Sequence, residues 1–294
     1  MNQYRRAWGD LRRPLRRAVE EASSASVFLH MPKTGGTSLQ SALLGSPSIR
    51  FLVLPLSTVS SSGCQCGAKG QCNDHGMRAV LGEPTQEGQS NRPVVIKLNH
   101  ESYRAVDWVR KAAGRGSVPP TTLLAVRPRR DRLRSVFRDY WTQVGIASGK
   151  FSEEKELTPH RVRVVANYAR DSLYYLGADG SIDGVAWFSA FREHGTGVAF
   201  SLDEVFDGDV VRMQRELDTG ALRLVPTKNV GIFIEELTGM PAAPRKRVSK
   251  VVGDPAVEAA LDDAADLIEE LARRDAPFDR VIADHLGDPD FYVE

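Results

Sequence analysis

The sequence predicts an α/β fold: a central, mainly parallel sheet flanked by helices. Two observations predict it. Short apolar, β-branched runs alternate with stretches of helical periodicity along most of the chain, the pattern of strand–helix–strand units. The first such strand also ends abruptly in a glycine-bearing turn that leads straight into a helix, in VFLHMPKTGGTSLQSALL, Val27–Leu44. The bulk numbers fit one elaborated domain or two small ones, since 294 residues, 41% of them apolar, can bury a large core. A net charge of +1 argues against nucleic-acid binding by bulk charge. No apolar run reaches the ~18 residues that mark a membrane-spanning helix.

The elements follow in chain order. Residues 1–22 form a basic amphipathic arm, with Arg5, Arg6, Arg12, Arg13, Arg16 and Arg17 beside Leu11, Leu15 and Val19. The arm has no apolar signal core. Its helix either packs on the domain or meets a membrane surface or a partner. Pro14 is expected to kink or restart it. Residues 23–294 form the single domain. Strands are expected at Val27–His30, Arg50–Leu54, Val94–Leu98, Thr121–Val126, Val198–Leu202 and Leu222–Val225. Helices are expected at Thr37–Leu44, Ser102–Ala113, Arg130–Trp141, Pro159–Leu176, Val185–His194, Val210–Asp218 and Asp254–Arg273. Residues 57–92 are rich in Ser, Gly, Gln and Asn and form an inserted loop that holds all three cysteines; loops of this length in a compact domain are usually functional or mobile. Val144–Thr158 is a second polar stretch, suited to a lid or a connection.

The opening turn is built for an anion. Gly35 and Gly36 let the backbone approach a ligand closely. The free N–H groups of the following helix and its dipole then favour negative charge. Lys33 adds a cation, and Thr37 and Ser38 add hydroxyls. The order differs from the nucleoside-triphosphate loop, in which the lysine follows the glycines and a Mg²⁺-binding hydroxyl comes next. The fold expected is therefore P-loop-like, in three layers, with the lysine at the other end of the anion.

HMPKTGGTS, His30–Ser38, closely resembles the loop of the carbohydrate-type, family-2-like sulfotransferases that use 3′-phosphoadenylyl sulfate (PAPS). There the loop binds the 5′-phosphosulfate. The resemblance implies that Lys33, Thr34, Gly35, Gly36, Thr37 and Ser38 contact the donor. The family's second motif places an Arg after a later strand and a Ser eight residues on, and these hold the 3′-phosphate. In LLAVRPRRDRLRSVFRDYW, Leu123–Trp141, Arg127 and Ser135 stand at those offsets, with Arg132 and Phe137 also matching. Pro128 and Arg129 depart from the pattern. A guanidinium fork suits a phosphate at any working pH. Arg129, Arg130, Arg132, Arg134 and Arg138 read instead as a solvated basic face. A third cluster, RKRVSK at Arg245–Lys250, resembles the family's late loop over the nucleotide, with Arg247 in place of Asn and Ser249 keeping the hydroxyl. ARRDAPFDRVIAD, Ala272–Asp284, is weakly similar to the family's terminal segment.

Sulfuryl transfer to an alcohol needs a base for the hydroxyl proton, and a histidine with a pKa near ~6.5 suits neutral pH. His100 follows the strand in PVVIKLNHES, as Lys33 and Arg127 each follow theirs; such strand ends form the ligand crevice of a parallel sheet. Glu101 is the rival base, and His30 reads as a structural residue inside its strand. Lys33 and His100 are thus the expected catalytic residues. Lys33 and the backbone dipoles supply what Mg²⁺ supplies in kinases, so the reaction requires no metal.

Cys64, Cys66, Cys72 and His75 have C-x-C-x5-C-x2-H spacing. The set could close a tetrahedral structural zinc site; free thiols and a disulfide are the other readings. The expected activity is transfer of the sulfuryl group from PAPS, releasing adenosine 3′,5′-bisphosphate (PAP), to a hydroxyl of a sugar or glycoconjugate. A small hydroxylated natural product is the alternative acceptor. A P-loop kinase and a non-catalytic nucleotide-binding module are the remaining readings. The family's animal members are anchored in the Golgi membrane; with no anchor in this sequence, the expected setting is a bacterial cytoplasm, with peripheral membrane contact only through residues 1–22.

Overall fold

The computed structural model describes residues 12–31, 34, 39, 42–43, 46–54, 91–99, 102–114, 119–129, 131–132, 134–135, 138, 183, 201–239, 255–288 and 291. In chain order they give α1 (Arg12–Glu20), β1 (Ala25–His30), β2 (Arg50–Leu54), β3 (Val94–Asn99), α2 (Tyr103–Ala113) and β4 (Thr121–Val126). There follow α3 (Leu202–Phe206), α4 (Val210–Asp218), β5 (Leu222–Pro226), α5 (Val230–Thr238), α6 (Pro255–Asp263) and α7 (Ala265–Leu286).

The strands form one parallel sheet in the order β2-β3-β1-β4-β5. Their near-continuous apolar character follows from burial on both faces. Side chains alternate across a strand, and the packing shows it. Val27, Leu29, Ile96, Leu98, Leu124 and Val126 enter one core, whereas Phe28, Val95, Leu123 and Ala125 enter the other. The first core is covered by α1–α4 and α7. A stacked aromatic row, Tyr103–Phe206–Phe278, ties α2, α3 and α7 together at ring separations of 4.7 and 5.8 Å. The second core is covered by Leu39, Ala42 and Leu43, which are helical, and by Val230, Phe233 and Ile234 of α5. The result is a three-layer α/β architecture.

Five expected strands are present within a residue or two of their expected ends. The expected strand at Val198–Leu202 is corrected at its described end: Leu202 opens α3, while residues 198–200 lie outside the described residues. The cause is a capping box. The Ser201 hydroxyl accepts from the Glu204 N–H at 3.0 Å, and the Glu204 carboxylate accepts from the Ser201 N–H at 3.1 Å. The helix expected over Asp254–Arg273 is two helices, broken at Ala264 and running on to Leu286. α5 is an element that the periodicity reading does not include. Its apolar positions 230, 233 and 234 face the second core, so tertiary burial outweighs its β-branched content. Pro14 sits in the first described turn of α1, where its missing N–H has no intrahelical acceptor to lose; the residues before Arg12, on which the expected kink or restart turns, lie outside the described residues. Leu15, Ala18 and Val19 of α1 are buried in the first core against α2. That stretch of the arm therefore keeps no apolar side for a membrane. No helix among the described residues is long and apolar enough to cross one.

Candidate functional site

β3, β1 and β4 are successive strands in the sheet, with His30 in register with Asn99 and Leu29 with Leu124. Their carboxyl ends therefore lie side by side, about 4.8 Å apart from strand to strand. The chain leaves β1 toward β2 on one side of the sheet and leaves β4 toward β5 on the other. A crevice opens where neighbouring connections diverge in this way, here between β1 and β4.

A cleft sits at that edge. It is lined by Met31 and Thr34 after β1, by Arg127, Arg129 and Arg132 after β4, and by Asp275 and Asp279 of α7, with Val126 and Leu202 completing its apolar part. Thr34 is fully buried, and its hydroxyl donates to the Met31 carbonyl at 2.9 Å, closing the turn that leaves β1. That hydroxyl proton is committed to the backbone, while the oxygen retains acceptor capacity. Arg127 donates to Asp131 at 3.3 Å, one helical turn on, and keeps part of its head exposed. Ser135 is half-buried in the same helical stretch. Of the expected donor-binding residues, Thr34 and Arg127 thus line one cleft. Lys33, Gly35, Gly36, Thr37, Ser38, His100, Arg247 and Ser249 lie outside the described residues, as do Glu101 and the cluster Cys64, Cys66, Cys72 and His75. Among the described residues no group of three His, Cys, Asp or Glu side chains could hold a metal. His30 is buried and stacked on Phe28 at 5.7 Å.

Of the arginines expected to form a solvated face, Arg129, Arg132, Arg134 and Arg138 do not, and Arg130 lies outside the described residues. Arg129 donates to Asp279. Arg132 lies 3.8 Å from Asp275, and both side chains are 3% exposed. Arg134 and Arg138 pair with Glu258 of α6 at 3.5 and 2.7 Å. The physical reason is complementarity: α6 and α7 present acids one turn apart opposite a basic helix. Asp275 also accepts from the Asp203 N–H at 3.0 Å, so it serves the start of α3 as well as Arg132. Asp275 and Asp279 are residues that the sequence reading passes over. Their signal is the i, i+4 pair of acids inside the stretch ARRDAPFDRVIAD.

Burial sets the electrostatics. It pushes the Asp279 carboxyl up to about 7, helped by neighbouring Asp275 and opposed by Arg129 and Arg132. Asp275 is also raised by burial, against the pull of Arg132 and the N–H groups of Asp203 and Leu202. A third perturbed group lies on β3: Lys97 is 3% exposed, and burial lowers its ammonium to about 7.

The fold and cleft define an α/β protein with an arginine-lined crevice at the carboxyl edge of a parallel sheet. No family model matches the chain, and no curated protein or solved structure matches it either.

Proposed function

We propose that the protein is a PAPS-dependent sulfotransferase whose acceptor is a hydroxyl on a sugar or glycoconjugate. The single observation that carries this reading is that Thr34, of the HMPKTGGTS turn, and Arg127, of the second motif, line one cleft between β1 and β4. A donor phosphorylated at both ends needs two anion grips on one crevice, and turns that follow neighbouring strands favour that arrangement.

In the proposed reaction the acceptor oxygen attacks sulfur in line with the leaving phosphate. The S–O bond to the acceptor forms as the bond to the bridging oxygen breaks. His100 takes the hydroxyl proton, and Lys33 and the turn's amides stabilise the charge that develops on the leaving phosphate. Positioning and electrostatics carry such a transfer.

The test is sulfuryl transfer from labelled PAPS to a panel of sugars, glycolipids and phenols. The native chain is expected to label a saccharide. Lys33→Ala and His100→Ala are each expected to lower turnover by about 10²-fold or more, the usual weight of a charge stabiliser or a general base. Near-normal turnover in His100→Ala removes it as the base. Labelling of phenols alone shifts the acceptor to a small hydroxylated compound. PAP binding with no transfer to any acceptor leaves a nucleotide-binding module.

A further inference from the structure

α1 carries its two kinds of residue on opposite sides. Leu15, Ala18 and Val19 are buried in the first core, so Arg12, Arg13, Arg16 and Arg17 are turned outward, and all four are exposed. Arg16 and Arg17 each reach one turn on, to Glu20 and Glu21 at 2.7 and 2.6 Å. The two guanidinium side chains are 61% and 68% exposed, and surface pairs of this kind contribute little and yield to a competing anion. Arg12 and Arg13 have no acid partner among the described residues. The contrast with the basic helix after β4 is plain. There α6 and α7 bring acids against the arginines; among the described residues no other element does so for α1.

The fold puts this face at the amino edge of the sheet. Arg16 lies against Gly114, the residue that ends α2: a Cβ on Gly114 would stand 3.3 Å from Arg16 Nε. Glu21 accepts from Arg50, at the start of β2, at 3.3 Å. Two further cations share that edge. Lys111 is exposed in the last turn of α2, and Arg92 stands just before β3. Of the acids at this edge, Glu20 and Glu21 are held by Arg16, Arg17 and Arg50, Glu216 is held by Arg110, and Asp218 stands before β5, beyond β4.

We infer that this basic face is a docking surface for an anionic lipid bilayer, held by charge alone. The apolar side of α1 is spent in the core, so the described helix has nothing to insert among acyl chains. A bilayer with acidic lipids offers a plane of negative charge, and each arginine brought close to it is worth about 5-fold in partitioning. The outer side of a helix meets a plane well. Nucleic acids ask for other features: single strands lie in basic grooves beside aromatic rings, and duplexes take an element into a groove. The described cleft is at the opposite, carboxyl edge, and the described Phe, Tyr and Trp rings are buried. The six residues of β1 hold the two edges about 20 Å apart, so docking leaves the crevice clear. The inference therefore does not rest on the proposed sulfuryl transfer.

The experiment is co-sedimentation of the full chain with vesicles of phosphatidylcholine, with and without about 30% phosphatidylserine. The native chain is expected to bind the anionic vesicles at about 0.05 M salt, to leave them by about 0.5 M, and to ignore the neutral ones. The double variant Arg12→Gln, Arg13→Gln is expected to bind at least ~10-fold more weakly. Arg12→Lys with Arg13→Lys is expected to bind like the native chain, because the contact reads charge rather than a guanidinium fork. Both positions are exposed, so melting curves of these variants are expected to match the native one. No binding at low salt, equal binding to neutral vesicles, or glutamine variants that bind like the native chain overturns the inference. Tighter binding to single-stranded polyuridine than to anionic vesicles at equal salt overturns it in favour of nucleic acid. If the variants do not fold, the native lipid and salt series decides alone.

Discussion

Among the described residues, Lys97 is the one whose placement departs furthest from its chemistry. It stands mid-strand between neighbours that are buried, in register with Phe28, and its ammonium is held down to about 7 by loss of water. The sign of the linkage is fixed by that direction. Between about 7 and the ordinary lysine value the unfolded chain binds more protons than the folded one, so this lysine's contribution to stability rises with pH across that window. The swing is on the order of 5 kcal/mol. Lys97→Met, which conserves length without the charge, is expected to be more stable than the native chain near neutral pH, with the gap closing toward pH ~10. Urea midpoints across that range measure it, and parallel curves for the two proteins would count against the burial argument. The sequence shows the lysine within VVIKLN but not its burden, because a strand position looks the same whether its neighbours cover it or leave its tip in water.

At the scale of elements, α3 shows how much a short helix depends on its ends. Five residues cannot hold a helix by themselves. Ser201 and Glu204 satisfy its first N–H groups reciprocally, Asp275 reaches it from α7, and Phe206 anchors it between Tyr103 and Phe278. Ser201→Ala is expected to cost about 1 kcal/mol, and Ser201→Asp to restore most of it. Denaturation midpoints of the two variants check this, and an alanine variant as stable as the native chain would show that packing alone sets the helix. This element was legible in the S-x-x-E spacing of Ser201–Glu204, yet the preceding apolar run GVAFSL favours a strand on periodicity. The basic helix after β4 misleads in the same way. Its charges suggest solvent until α6 and α7 bring Glu258, Asp275 and Asp279 against them.

At the scale of the whole molecule, the crevice between β1 and β4 couples distant parts of the chain, so a ligand that bridges it must stabilise the fold by mass action. PAP at about 100 times its dissociation constant is expected to add ~2.7 kcal/mol, a few degrees in melting temperature for a chain of this size. ATP is expected to add less, since it lacks the 3′-phosphate; thermal melts with each nucleotide compare them, and a larger shift with ATP would favour the kinase reading. The sequence by itself determined the α/β class, five strands and the position of Arg127 after its strand, because strand burial and turn chemistry are local and leave their mark in residue order. It also marked the HMPKTGGTS turn, of which Thr34 is seen to enter the cleft. Only the tertiary structure decided that Thr34 and Arg127 face one cleft and that Arg129 and Arg132 are held by Asp279 and Asp275. Those facts depend on which strands become neighbours and on what α7 carries to their ends. They join residues from about 90 to 150 positions apart, and no local pattern records such a distance.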